Sequence, residues 1–290
     1  MRRSYEAAPA NQSASSPAGL VKHPAGSGMV RRVVIGLSQN GWTQTTVSFL
    51  AAVLLWEFTA HYLIDKPILF SPLGSIVKRA IELWQDGELQ YHMWVSFVEF
   101  AGGFGLAIVV GIGLGVAFAA SRFVRNFFEP WVSMLYATPI IALGPLFILW
   151  LGIGVSSKIA IVFLTAVFPI LINTVVGLTI TERTLVDVAR SLGATNMQIY
   201  TKIRIPGATP YVVAGLRLSV ARALVGVVVA ELFGARAGLG FLIFTSAQNF
   251  DTPALFVGVI IFAIAGVASV SLLKWLERYF AAYRFQETGE

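Results

Sequence analysis

Five ionisable side chains, Glu57, Glu99, Arg217, Arg222 and Glu231, stand inside otherwise apolar stretches of this sequence. A charge held in hydrocarbon costs several kcal/mol unless it is paired, so each is a candidate for an ion pair or for contact with a charged solute. If the fifth apolar stretch begins at Pro210, Arg222 lies roughly 18 Å along it at 1.5 Å per residue, near the middle of a bilayer. Two roles fit Arg222: a structural pair with a glutamate or with carbonyls, and a cation lining a path for an anionic solute. Arg217 lies closer to the cytoplasmic end, within snorkelling reach of it. Glu99 and Glu231 sit near the outer ends of their stretches, where interfacial water is in reach, and Glu57 is deeper and faces a neighbouring helix. Pro139, with Gly144 and Pro145, and Pro169, with Asn173, interrupt two consecutive stretches. Proline removes a helix hydrogen bond, which a membrane tolerates where neighbours or water repair the loss. Such breaks suit a gated path, or a static kink that improves packing.

Several chemistries are excluded. The sequence has no cysteine, so disulfides, thiolate metal sites and cysteine nucleophiles are ruled out. His23, His61 and His92 stand singly with no metal-ligand spacing, and each reads as an amphipathic side chain near an interface. The acids are scattered and build no catalytic cluster, so no catalytic residue and no metal site is assigned. No Gly-Lys dipeptide occurs, so the phosphate-binding loop of an ATPase is missing from this polypeptide.

The elements that carry these residues are membrane helices. Hydrophobic residues make up 56% of the 290 and charged residues 12%, against roughly 25% charged in soluble domains. Six segments, near 44–64, 94–119, 130–151, 158–180, 211–233 and 255–275, are long enough to span a bilayer. Between the first two, "SPLGSIVKRAIELWQDGEL" (71–89) reads as an amphipathic helix lying at the interface. With the N-terminus in the cytoplasm, 14 of the 21 lysines and arginines fall inside, five outside and two within the fifth span. That bias places both termini in the cytoplasm. It also accounts for the net charge of +6 without nucleic acid, because the basic residues follow the loops. Residues 1–40 read as a flexible cytoplasmic tail that lacks the apolar core of a secretory signal. Residues 44–90 hold the first span and the periplasmic interfacial helix, 91–280 the core with a cytoplasmic loop at 181–208, and 281–290 a cytoplasmic tail.

The loop itself, "VDVARSLGATNMQIYTKIRIPG" (Val186 to Gly207), is polar and basic between two very apolar runs. Leu185, Val188, Ala189 and Leu192 form one apolar stripe at helical spacing. Thr184 with Asp187, and Thr195 with Gln198, have the spacing of capping boxes. Gly193 ends the first helix by tolerating a left-handed backbone. Pro206 closes the second near Arg204, and Pro210 opens the fifth span. Two uses suit this hairpin: docking into a groove of a partner, or packing on its own bundle.

Asp187-Val-Ala189, three residues, Gly193, nine residues and Ile203-Arg-Ile205-Pro206 resemble the EAA signature of binding-protein-dependent ABC transporter permeases. That signature is E-A-A, three residues, G, nine residues, I-x-L-P. Asp187, Val188 and Ile205 are the departures, each conservative. "TPIIALGPLFILWLGIG" (138–154), "FPILINTVVGL" (168–178), "VVVAELFGARAGLGFLI" (227–243) and "PILFSPLGSIVKRAIELWQDGEL" (67–89) are similar to the nitrate/sulfonate/taurine branch, with coverage of about residues 45–280. The resemblance implies an all-α membrane protein of six transmembrane helices with the type I importer permease (MetI-like) fold, in the bacterial inner membrane. It implies a homodimer, two copies of an ATP-binding subunit that hold the ATP, and a periplasmic solute-binding protein, with no cofactor on this chain. Asp187, Ala189 and Gly193 would then shape the docking projection, while Ile203 and Pro206 anchor it. Asp187 keeps a second reading as the cap of its own helix. The remaining function class is a secondary transporter driven by an ion gradient, which usually shows internal repeats.

Overall fold

The structure is a computed structural model that describes residues 41–64, 66, 68–180 and 183–285. The tail expected over 1–40, the Thr184 side chain of the first capping box and residues 286–290 lie outside the described residues. The described elements are all helical. They are α1 (Gly41–Phe58, followed by a π turn Thr59–Leu63), α2 (Leu73–Gln85), α3 (Glu88–Ala120), α4 (Arg122–Ala137) and α5 (Gly144–Leu151). After them come α6 (Val155–Thr179), α7 (Arg183–Ser191), α8 (Asn196–Ile199), α9 (Ile205–Leu232), α10 (Leu239–Gln248) and α11 (Thr252–Phe285).

By internal contacts the chain divides into two units, one ending at Leu55 and one beginning at Trp56. In the first, the described part of α1 presents Phe49 and Leu54, each 70% exposed, as a helix made for hydrocarbon does. The second unit holds the remaining helices.

Five helical stretches are long and apolar enough to cross a membrane: 43–63, 88–120, 155–179, 196–232 and 252–275. A pair, α4 and the segment 140–151, has the length and apolar composition of a sixth span when taken together, but is bent by 87° at Thr138–Pro139. The expected third span (130–151) is therefore a break rather than a kink. Thr138 and Pro139 are extended, a short 3-10 turn (Ile140–Leu143) follows, and Gly144–Pro145 opens α5. Proline at 139 biases the residue before it away from helix, and proline at 145 fits a helix's first turn.

Helix α6 is the hub, packing along both α3 and α9. Its closeness to α3 depends on small residues every fourth position: Gly103, Ala107, Gly111 and Gly115 are all buried. A Cβ on Gly111 would lie 2.9 Å from Cβ of Ile170, and one on Gly115 would lie 2.6 Å from Cβ of Thr174. Gly113, on the other side of α3, would meet nothing within 4 Å, so the close approach uses Gly111 and Gly115. Helix α9 presents Gly215, Ser219 and Gly226 to α6, and the Ser219 hydroxyl donates to the Ala166 carbonyl at 2.7 Å.

The segment expected as an interfacial helix folds as α2. Ile76 and Leu83 are buried against α10 and α11 residues, while Ile81 is exposed. Arg79 ties α2 to the start of α11 through Asp251, at 2.9 Å.

Candidate functional site

The polar hairpin comes first among the candidate sites. Helix α7 buries Val186, but the stripe foreseen on it faces outward: Leu185 is 52% exposed, Val188 53% and Leu192 83%. Ala189 is half-buried, and Asp187 is exposed with its carboxylate 4.0 Å from Arg190. Gly193 has φ +81°, the left-handed value expected, and a Cβ there would meet nothing within 4 Å. The constraint at Gly193 is therefore the backbone and not space. Thr195 and Gln198 form the expected capping box at the start of α8.

From there the chain departs from expectation. The second helix does not end at Arg204: a π turn (Tyr200–Arg204) carries it straight into α9, making one helical stretch from Asn196 to Leu232. The amide of Ile205 bonds back to the Tyr200 carbonyl, five residues earlier. The wider turn relieves the ring of Pro206 of its clash with the carbonyl four residues before, so the helix passes the proline. Ile203 and Pro206, both half-buried, lie within a continuous rod, and Pro210 is inside α9 rather than at its start.

The second arrangement is a cavity of about 550 Å³ between the bend and α9. Its lining includes Tyr136, Thr138 and Pro139 from the bend, Thr165 and Phe168 from α6, and Arg222 from α9. The Arg222 guanidinium lies 5.9 Å from the Tyr136 ring centroid, a cation–π distance, and Arg222 is exposed. Among the described residues no carboxylate comes within ion-pair distance of it. Pro139 and Arg222 are thus brought to one cavity, whereas Asn173, Arg217 and Glu57 are placed elsewhere. The Asn173 amide donates to the Pro169 carbonyl at 2.8 Å. Arg217 is ion-paired with Glu277 of α11. Glu57 accepts the amide of Leu73 at 3.2 Å, capping α2.

Residues 107–282 match the family model described as "Binding-protein-dependent transport system inner membrane component". The chain belongs to this family. Among relatives, SsuC of Bacillus subtilis (strain 168), named for aliphatic sulfonates transport, is 34% identical over 255 residues, covering 88% of the permease and 92% of SsuC. The formylaminopyrimidine transport permease protein ThiX of Halalkalibacterium halodurans is 31% identical, over 83% of the permease and 96% of ThiX. The taurine transport system permease protein TauC of Escherichia coli (strain K12) is 28% identical, over 81% and 88%. A chain of the MetNI methionine ABC transporter, solved in inward-facing conformations, superposes with a TM-score of 0.57 at 18% identity, over 64% of the permease and 93% of that chain. That likeness carries the fold. The permease is a non-catalytic, multi-pass inner-membrane subunit of an ABC importer.

Sequence reasoning missed a third arrangement in the permease. Glu99 and Glu231 do not reach interfacial water: they are 0% and 1% exposed. Glu231 accepts the Ser96 hydroxyl and the amides of Gly240 and Phe241, so it caps the short apolar helix α10. Ser96 in turn accepts the Leu239 amide at 2.8 Å, and His92 Nδ1 accepts the Gly238 amide at 2.9 Å. His92 is therefore a buried acceptor holding the start of α10, not an interfacial side chain. Glu99 faces Lys158 at 3.6 Å. The sequence held part of the signal: Glu231 precedes Gly238-Leu-Gly240, small residues that leave a carboxylate room beside the orphan amides of a helix start, while its meeting with Ser96 and His92 left no such mark. A Cβ on Gly240 would lie 2.9 Å from the Glu231 carboxylate.

Proposed function

We propose that the permease forms the translocation path for a small anionic solute of the sulfonate or taurine class. A separate ATP-hydrolysing subunit drives it through the loop at 181–208. The observation that supports this most is the outward stripe of α7: three large apolar side chains that their own bundle leaves uncovered. An apolar helix face rimmed by Asp187 and Arg190 is the shape a groove on a partner takes up. Asp187, Ala189 and Gly193 shape that projection, while Ile203 and Pro206 set it on the rod. The lysine and arginine bias puts the projection in the cytoplasm, where ATP is available. Two permease copies, two ATPase subunits and a periplasmic binding protein complete the assembly in this reading.

The continuous helix supplies the mechanical link. Arg204, at the hairpin end, and Arg222, at the cavity, are separated by 18 residues, roughly 27 Å of one helical rod at 1.5 Å per residue. A push on α7 then displaces α9 as a unit, sliding Gly215, Ser219 and Gly226 along α6. The cavity wall that Arg222 forms moves relative to the bend at Pro139. Because the run of α-helical hydrogen bonds is already interrupted at Pro139, the bend is the part that yields at least cost. Arg222 would hold the anion by charge and guanidinium hydrogen bonds, with the aromatic Tyr136 beside it.

The reading is tested by charging the stripe. Val188→Glu with Leu192→Glu places two carboxylates on a largely exposed face, 53% and 83% exposed at these positions, so the permease should still insert and fold. Co-purification of the ATPase subunit and ATP-driven uptake in proteoliposomes should both be lost. Unchanged uptake in this variant would refute the coupling role of the loop.

A further inference from the structure

Four guanidinium groups converge on one concavity where two spans end. A cavity of about 500 Å³ is lined by Arg122 and Arg125 of α4, Arg190 of α7 and Arg204 of the π turn, with Asp187 as its one acid. Of these four arginines only Arg190 has a carboxylate partner among the described residues, Asp187 at 4.0 Å. The Nε of Arg204 is buried with no hydrogen-bond partner there. Three uncompensated cations facing one hollow repel one another, and the repulsion weakens when an anion enters. Helix α4 begins at Arg122, so the positive end of its dipole adds to the same field.

The depth of the hollow indicates what kind of anion fits. Its walls include Phe118 and Ala119, next to the end of the α3 span, and Thr179, the last residue of α6. It therefore lies at the level where hydrocarbon gives way to headgroups. Guanidinium forks match tetrahedral phosphate oxygens in pairs, which lysines do not.

We infer that this cavity is a binding site for a phosphate group. That group is either the headgroup phosphodiester of an acidic phospholipid or the phosphate of a soluble compound. Occupancy would join α7 to the ends of α3, α4 and α6, so the ligand holds the hairpin at a set angle. The site is a property of the permease alone, independent of which solute it carries and of what grips the hairpin.

The test uses the full-length permease purified without partners. Native mass spectrometry after exposure to mixed phosphatidylglycerol and phosphatidylcholine reads the lipid arm. Thermal stability against pyrophosphate reads the soluble arm. The paired variant Arg122→Gln, Arg125→Gln removes half of the guanidiniums, and Lys274→Gln with Arg278→Gln, at exposed positions of α11, is the charge-matched control. We expect one phosphatidylglycerol retained per chain in preference to phosphatidylcholine, with retention or pyrophosphate affinity falling roughly tenfold in the paired variant and unchanged in the control. Loss of phosphatidylglycerol alone assigns the site to lipid, and loss of pyrophosphate binding alone assigns it to a soluble phosphate. If the paired variant does not fold, Arg122→Lys with Arg125→Lys keeps the charge while removing the forks, and a weakening of the same sign is expected. No preference for either ligand in the wild type, or an equal loss in the control, would overturn the inference.

Discussion

Arg222 is a charge beside a cavity with no counter-charge among the described residues, whereas Arg217, one turn and a half earlier on α9, has Glu277. The two arginines therefore have different surroundings: their positions in the sequence separate them by depth, and the pairing of Arg217 with Glu277 is what only the fold reveals. Arg222→Gln removes the charge while keeping hydrogen-bonding capacity. It should lower uptake of an anionic solute by roughly tenfold or more, the worth of a charge-assisted hydrogen bond, in a vesicle assay with the partner subunits present. Arg217→Gln should instead lower the thermal midpoint of the detergent-solubilised permease.

Gly193 is also decided by local geometry. At φ +81° a β-branched residue is strained, so Gly193→Val should cost roughly 1–2 kcal/mol locally and weaken coupling, while Gly193→Asn should do so less. The ratio of uptake to ATP hydrolysed checks this. Glu231→Ala would strand the amides of Gly240 and Phe241 and the hydroxyl of Ser96 in a buried site. A loss on the order of 3–5 kcal/mol of stability is expected, read as a lower unfolding midpoint.

At the scale of elements, helix type and approximate position were legible because apolar length is a strong signal. The five continuous spans contain or overlap the expected segments. The ends were less legible, for identifiable reasons. Pro206 was expected to stop a helix, but a π turn upstream let the helix run on, and no local residue pattern announces a π turn. The third span read as kinked because composition reports how apolar a segment is, not that Thr138–Pro139 turns it through 87°. The α10 cap depends on Glu231, Ser96 and His92 meeting across separate helices, which spacing along one helix cannot reveal. The packing lanes give a further prediction. A Cβ on Gly215 would lie 2.8 Å from Cβ of Asn173, so Gly215→Leu should force α9 from α6. Overpacking of that kind costs roughly 1–3 kcal/mol, and Gly113→Leu, which meets open space, should be tolerated. Expression and unfolding midpoints of the two variants compare them directly.

For the whole molecule, the hairpin, the α8–α9 rod and the Arg222 cavity form one line from an exposed apolar stripe to a charged hollow. The family assignment makes the chain an importer subunit, and this line is how force from outside the chain could reach the solute. The lack of cysteine in the sequence makes the decisive measurement clean. Leu192, 83% exposed, and Val186, 6% exposed, each replaced by cysteine, provide a single thiol at an outward and a buried position of the hairpin. With a crosslinker that is thiol-reactive at one end and photoactivatable at the other, so that its second bond forms to any neighbouring residue, in membranes containing the assembled transporter, Leu192→Cys should capture the ATP-hydrolysing subunit, and Val186→Cys should not. Capture by Leu192→Cys of its own chain alone would contradict the proposed role of the hairpin.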